Sequence, residues 1–447
     1  RIFDLDVVKL EALISERFGG KDASVLNHAL AAFHAGYHHL LGDVLEMFKF
    51  VESQGKDARQ VVMNGNEALA YGLIAAGVRF GAAYPITPWS DVMEILRREL
   101  PKYGGTFVQC EDEIAAISMA NGASFAGRVA VTGSSGPGIS LKMESLGWAV
   151  MAEVPLVVVD VQRGGPSTGL PTQVEQSDLN LACFGSHGDA PRAVLAPANV
   201  KECFYTAIEA VNIARKYNVP VFILSDQALA TRIEAFPEPN LETVCQDISP
   251  DLTPVADCKP YDLSCPDGVS RRVVPGTPIL SGRYPIAGGL EHDEFGHPTG
   301  SPKLHLEMTA KRRKKLQALA ATLPTPKVHG PPEGNLLLVG WGSTKGPIRE
   351  AVDRARAAGD SISALHIKYL NPLPPGLESI FSGFSAIRVV EMNDEGLYGC
   401  GQLAGLLRAR YCEPKIRGIN KTDGLTWRVK EILERARADT AAGLCQQ

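Results

Sequence analysis

The feature that most restricts this 447-residue chain is an alternation of helical and extended patterns. Between residues 57 and 236, GNEALAYGLIAAG has helical spacing and ends at Gly77. RFGAAY and TFVQC read as strands, and EDEIAAISMANGASFAG reads as a helix. RVAVTGS, PLVVVDV, RAVLAP and VPVFILSD are further strands, interleaved with helices over ISLKMESLGWAVMAE and 198–216. Runs such as PLVVVDV, continuously apolar, suit strands covered on both faces. Strands separated by helices imply an α/β fold with a doubly wound, mainly parallel sheet. Ligands of such sheets sit beyond the carboxyl ends of the strands. Residues 84–87, 133–138 and 162–168 all fall at such ends.

The flanking regions differ in character. Residues 1–54 read as two helices separated by Gly19-Gly20. The second carries His34 and His38 on one face, where a partly exposed surface is expected in preference to a metal site. Residues 237–334 hold half of the chain's 30 prolines, resist regular structure, and are expected to wrap over other parts of the assembly. They include His292, Asp293, Glu294 and His297, expected in a hydrogen-bonded surface loop, and the basic run 311–315, expected on a solvated helix face. Residues 335–447 return to alternation, with ISALHIKYL and FSAIRVVEM among the strands. Domains are thus expected at 1–54, 55–236, 237–334 and 335–447.

Composition excludes several functions. A net charge of −5 gives no basic face for nucleic acid. The longest apolar runs fall far short of the ~20 residues of a membrane helix, and no charged-then-apolar leader follows Arg1. Nine scattered cysteines, the closest pair being Cys258 and Cys265, lack the short spacing of zinc or iron–sulfur sites. Reduced thiols, a cytoplasmic location and no metal held by this chain are expected.

The candidate chemistry gathers at the strand ends. Pro85 and Pro88 stiffen the loop that carries Thr87. Glu111, Asp112 and Glu113 open a helix. Any of them could simply complement the helix dipole, worth ~0.3–1 kcal/mol, but Glu113 runs straight into Ile-Ala-Ala at the edge of an apolar face. Arg163 ends the buried strand and offers a bidentate fork for a carboxylate; pairing with Asp160 or Glu175 is the alternative. The glycine-rich GGPSTGLPT that follows brings backbone amides and the Thr168 hydroxyl to the same edge. Ser135 and Gly136 precede a helix and could cradle an anion or cofactor, although ordinary tight turns use the same residues. Residues 399–404 fit G-x-G-x-x-A, but they do not directly follow a strand, so the match reads as a decoy.

YPITP, EDEIAAISMANGASFAG, SSGPGISLKMESLGWA and DVQRGGPSTGLPTQVEQSDL, in this order and spacing, resemble the alpha subunit of the 2-oxoacid:ferredoxin oxidoreductases, most of all the 2-oxoglutarate type. The resemblance implies that residues 55–236 form a pyrimidine-type thiamine diphosphate domain and 335–447 a smaller transketolase C-terminal-like domain. Residues 1–54 would be the tail of a fused gamma-type domain. It makes Glu113 the catalytic cofactor-binding glutamate and places Pro85 and Ile86 near the pyrimidine, with Ser135 and Gly136 beside the cofactor. Thr87, Arg163 and Thr168 become substrate ligands.

No GDG followed by a downstream Asn is found for the diphosphate. The resemblance therefore implies a beta subunit that holds diphosphate, Mg2+ and a 4Fe-4S cluster, in a dimer of alpha-beta units. The implied reaction converts 2-oxoglutarate and coenzyme A to succinyl-CoA and CO2 using ferredoxin, reversible as in the reductive TCA cycle. Pyruvate or branched-chain 2-oxoacids as substrate, or a non-catalytic scaffold, are the alternatives. Trp89 stands where many relatives have Ser, a change expected to reshape the pocket.

Overall fold

The computed structural model describes residues 5–39, 59–245 and 249–444, which divide into two units, one ending at Arg59 and one beginning at Gln60. In the first, helices Val7–Phe18 and Ala23–His38 are capped by the side chains of Asp6 and Asp22. His34 stacks on His38 at 6.3 Å and lies 3.3 Å from the Glu11 carboxylate.

The strands of the second unit are, in chain order, β1 (Gln60–Asn64), β2 (Phe80–Ala83), β3 (Thr106–Gln109), β4 (Ala130–Ser134), β5 (Leu156–Gln162), β6 (Ala193–Leu195), β7 (Pro220–Asp226), β8 (Ile233–Pro237), β9 (Val328–His329), β10 (Gly334–Gly340), β11 (Ile362–His366), β12 (Tyr369–Asn371), β13 (Phe384–Glu391) and β14 (Ile416–Asn420). A seven-stranded sheet has the order β12-β6-β7-β5-β4-β2-β3 and is parallel except for β12. A five-stranded sheet, β14-β13-β10-β11-β9, is parallel except for β9. β1 and β8 form an antiparallel ribbon that the sequence pattern did not reveal.

ISALHIKYL, expected as one strand, is two. Ile367 N still bonds Gly340 O at 2.9 Å, but Lys368 O accepts from Ala196 N at 2.9 Å, so the chain changes sheets between these residues. β12 thereby extends the first sheet, a pairing that no local periodicity encodes.

Side-chain alternation along β5 separates two cores. Val157, Val159 and Val161 face helices Gly65–Ala75, Ser90–Glu99 and Val200–Tyr217. The first and last of these cross closely, since a Cβ on Gly72 would lie 2.9 Å from that of Ala207. Leu156 and Val158 face helices Glu113–Phe125 and Gly136–Met151 and share their core with Leu337, Val339 and Val389 of the second sheet. Asp160 is in phase with this second set.

The basic run 311–315 departs from expectation. Lys311, Arg312 and Lys315 are buried, and both lysines lie 2.7 Å from the buried Glu153 carboxylate. Arg312 bonds Glu291. The helix Pro302–Thr322 turns the two lysines inward because an acid waits there, separated by about 160 residues of chain. His292 is likewise not at the surface: it is 2 % exposed and its ring centroid lies 3.8 Å from that of Tyr261.

Candidate functional site

The loops after β2, β4 and β5 leave three neighbouring strands at the same edge of the seven-stranded sheet. After β2, Pro85 and Ile86 are half-buried, with Ile86 packed on the first core, and Thr87 is exposed. Two long-range bonds hold this loop. Asn66 Nδ2, fully buried at the start of helix Gly65–Ala75, donates to Pro88 O at 2.9 Å. Arg163 Nη1 donates to Thr87 O at 2.7 Å, while its Nη2 donates to Thr168 O at 2.8 Å.

Arg163 thus brings the Thr87 and Thr168 loops together, and its described bonds go to main-chain carbonyls, not to Asp160 or Glu175. Glu175 instead accepts from Gly165 N at 3.2 Å and Ser177 Oγ at 3.3 Å. Each terminal guanidinium nitrogen keeps a second N–H for an incoming oxygen. Thr168 sits in a tight turn closed by Leu170 N to Gly164 O at 2.8 Å. Gly169 there has φ +48, and a Cβ would press on the Gly164 carbonyl, so only glycine fits.

Beyond β3, the three acids divide their roles. Asp112 caps the helix, accepting from Ala115 N at 2.7 Å. Glu113, the first residue of helix Glu113–Phe125, turns inward and is 7 % exposed. Its carboxylate and the Ser134 hydroxyl meet over the bare Cα of Gly138, where a Cβ would collide with both. Two residues earlier, a Cβ on Gly136 would lie 2.9 Å and 3.0 Å from the Asp178 carboxylate oxygens.

Ser135 is the N-cap of helix Gly136–Met151 but makes no capping bond with its side chain. The buried hydroxyls of Ser134 and Ser135, both Asp160 oxygens, Asp178 Oδ2 and Arg163 Nε have no partner. Buried polar atoms in folded proteins are almost always paired, so this cluster marks where a ligand supplies the missing partners. A heteroaromatic ring bearing both donors and acceptors, set against glycine surface and a buried carboxylate, fits the residues present.

Burial pushes the Asp160 carboxyl well above its ordinary range, and the neighbouring Asp178 adds to the shift. Asp178 itself is pushed up to about 7 by burial and by Glu175, with Arg163 opposing. Asp178 therefore changes charge near neutrality.

Trp89 does not line a pocket. It is fully buried in the first core, its ring over Gly133, whose Cβ would lie 2.5 Å from Trp89 Cδ2. The expectation of a reshaped pocket is corrected accordingly: the indole supports β4 from below. The G-x-G-x-x-A segment is filled by the chain itself. Glu391 of β13 accepts from Leu403 N at 2.8 Å and Ala404 N at 3.1 Å, so a carboxylate already occupies the helix N-terminus where a phosphate would bind.

Beside Gly165 and Pro166 lies a cavity of about 1010 Å³, lined also by Glu175, Asp178 and Gln402. Leu397 and Tyr398, 98 % and 90 % exposed, stand at its rim. Among the described residues, no group of three or more His, Cys, Asp or Glu could hold a metal ion, the eight described cysteines are unpaired, and no helix is long and apolar enough to cross a membrane.

Two buried residues at this edge, Asn66 and Lys142, and the half-buried Asp178 have roles that the sequence reading did not assign. Asn66 and Asp178 carry no local signal. Lys142 does: with Ile139, Met143 and Leu146 it falls on one helical stripe, so a lysine interrupts an apolar face.

A thiamine-type edge of this kind defines a family, and the chain belongs to it: residues 71–310 match the family described as pyruvate flavodoxin/ferredoxin oxidoreductase, thiamine diphosphate-binding. Within it, the chain is similar to the 2-oxoglutarate oxidoreductase subunit KorA of Mycobacterium tuberculosis, at 38% identity over 98% of this chain and 66% of that protein. It is 36% identical to the 2-oxoglutarate synthase subunit KorA of Methanocaldococcus jannaschii, over 75% of this chain and 89% of that one. A solved structure, the 2-oxoglutarate:ferredoxin oxidoreductase from Magnetococcus marinus with 2-oxoglutarate, coenzyme A and succinyl-CoA bound, matches with a TM-score of 0.87 and 38% identity. That match covers 98% of this chain and 75% of the other. The chain spans about two-thirds of the length of the Mycobacterium tuberculosis relative.

Proposed function

We propose that this chain supplies the pyrimidine half of a thiamine diphosphate site in a 2-oxoglutarate:ferredoxin oxidoreductase. Residues 55–236 form that half, 237–334 wrap around it, 335–447 form the transketolase C-terminal-like part, and 1–54 close a fused gamma-type domain. A partner beta subunit completes the site and contributes diphosphate ligands, Mg2+ and the 4Fe-4S cluster. The acid-lined cavity with exposed Leu397 and Tyr398 at its rim suits such a seat. The reaction joins 2-oxoglutarate, coenzyme A and two oxidised ferredoxins to give succinyl-CoA, CO2, a proton and two reduced ferredoxins.

Thiamine diphosphate, when bound, supplies the carbon nucleophile that makes decarboxylation of a 2-oxoacid possible. This chain's residues prepare the surroundings. Glu113, a poorly hydrated carboxylate, would accept a hydrogen bond from the aminopyrimidine and so favour the protonation state that the ring needs. Ser134, Ser135 and Gly136 would present hydroxyls and bare backbone to the ring, and Pro85 and Ile86 would help to exclude water from it. Thr87 offers a hydroxyl to the substrate, and the remaining N–H groups of Arg163 meet its carboxylate, with Thr168 closing the loop.

The observation that carries the reading is the meeting of the buried Glu113 carboxylate and the unpartnered Ser134 hydroxyl over Gly138. The test is the purified alpha-beta complex, assayed with a low-potential one-electron dye. Glu113→Ala removes most turnover while assembly survives. Arg163→Ala lowers kcat/KM by about 1.5–3 kcal/mol, the worth of a hydrogen bond to a charged group. Wild-type turnover in Glu113→Ala would leave only a scaffold role, and higher kcat/KM for pyruvate or branched 2-oxoacids would reassign the substrate.

A further inference from the structure

Lys142 lies in the middle of helix Gly136–Met151 and is 1 % exposed. Its ammonium donates to the main-chain carbonyl of Glu113 at 3.2 Å and to Thr132 Oγ1 at 3.1 Å. Both described partners are neutral, and Thr132 is itself fully buried on β4. An ammonium taken out of water without a bonded carboxylate is costly, and a leucine or methionine would fill the stripe without that cost. Burial holds the Lys142 pKa down to about 8, and the Glu113 charge is the largest influence acting against that fall. The titratable groups bearing on it are Glu113 and Asp112 from helix Glu113–Phe125 and Cys110 from the turn after β3.

We propose that Lys142 is a positioning residue for Glu113: a buried ammonium that anchors the first turn of helix Glu113–Phe125 and sets positive charge behind its carboxylate. The inference rests on the cofactor role proposed for Glu113. When a ring and a partner subunit cover the site, Glu113 loses what water it has, and desolvation favours its protonated form. A fixed cation behind it opposes that change. Its described bonds go to the Glu113 main-chain carbonyl and to Thr132, so they leave the carboxylate oxygens free to bond elsewhere. The carbonyl bond fixes the helix start, so the carboxylate's direction and its charge state are set by one side chain.

The experiment uses the assembled alpha-beta complex with Lys142→Met, Lys142→Gln and Lys142→Arg. Gln keeps a donor for the Glu113 carbonyl and Thr132 without the charge, and it answers the question if the Met variant does not assemble. Removing a positive charge raises the proton affinity of Glu113, so the acid limb of the kcat/KM pH profile moves upward by about one pH unit in Met and Gln. Thiamine diphosphate affinity, measured by calorimetry without turnover, falls up to about ten-fold at pH 5.5 and recovers toward pH 8, one pKa unit being tenfold. Arg restores both. An acid limb and a pH-dependent affinity that stay at wild-type values in both uncharged variants overturn the inference, provided Glu113→Ala abolishes turnover. If Glu113→Ala retains turnover, it is the cofactor reading that fails.

Discussion

Gly138→Ala tests the site through the surface that the cofactor is proposed to meet. Gly138 lies in the first turn of helix Gly136–Met151, without a positive φ. On backbone grounds alone, alanine at a helical glycine gains about 0.5–1 kcal/mol. Here the added methyl would sit 2.9 Å from Glu113 Cγ, which is 0.5 Å inside ordinary contact at 3.4 Å. It would lie closer still to Glu113 Oε1 and Ser134 Oγ.

The carboxylate must therefore move by more than half an ångström. Overpacking of a dense interior costs about 1–3 kcal/mol, which set against the backbone gain leaves a net loss of up to about 2.5 kcal/mol. A displacement approaching ~1 Å costs up to about a hundred-fold in rate when the moved group is catalytic. Gly122→Ala is the matched control. Gly122 lies in helix Glu113–Phe125, is exposed, and a Cβ there meets nothing within 4 Å. It is expected to stabilise slightly and to leave kcat/KM unchanged. Chemical denaturation and kcat/KM of the complex read both variants. A Gly138→Ala protein as stable and as active as Gly122→Ala would refute the geometry assigned to Glu113.

Two further outcomes follow from buried charges. Glu153→Gln leaves Lys311 and Lys315 without their shared carboxylate, and urea denaturation should show a loss of about 3–5 kcal/mol. Asp178, raised to about 7 when folded from an ordinary 3.8, takes up a proton on folding between those values. Its stabilising contribution is therefore complete below about pH 4, falls as pH rises, and is gone above about 7. Asp178→Asn removes this dependence, so its stability relative to wild type should rise by up to about 2 kcal/mol between pH 5 and pH 7. A constant difference across that range would show that Asp178 is ionised throughout.

Much of the architecture was legible in local pattern. Continuous apolar strands alternating with amphipathic helices specify a parallel sheet under two layers. Proline and glycine at the strand ends fix the loops that carry Thr87, Gly138 and Arg163. These are consequences of φ limits and periodicity, which act between near neighbours. Packing decided the rest. It set Ser135, Asp160 and Asp178 together without bonding partners, moved β12 into the other sheet, and slid Trp89 under Gly133. It also drew Lys142 to the Glu113 carbonyl and the 311–315 run to Glu153, across 29 and 158 residues of chain. A lysine in a helix reads as solvated because water is its cheapest partner. Only the folded chain shows which lysines have a carbonyl or a carboxylate waiting in the interior.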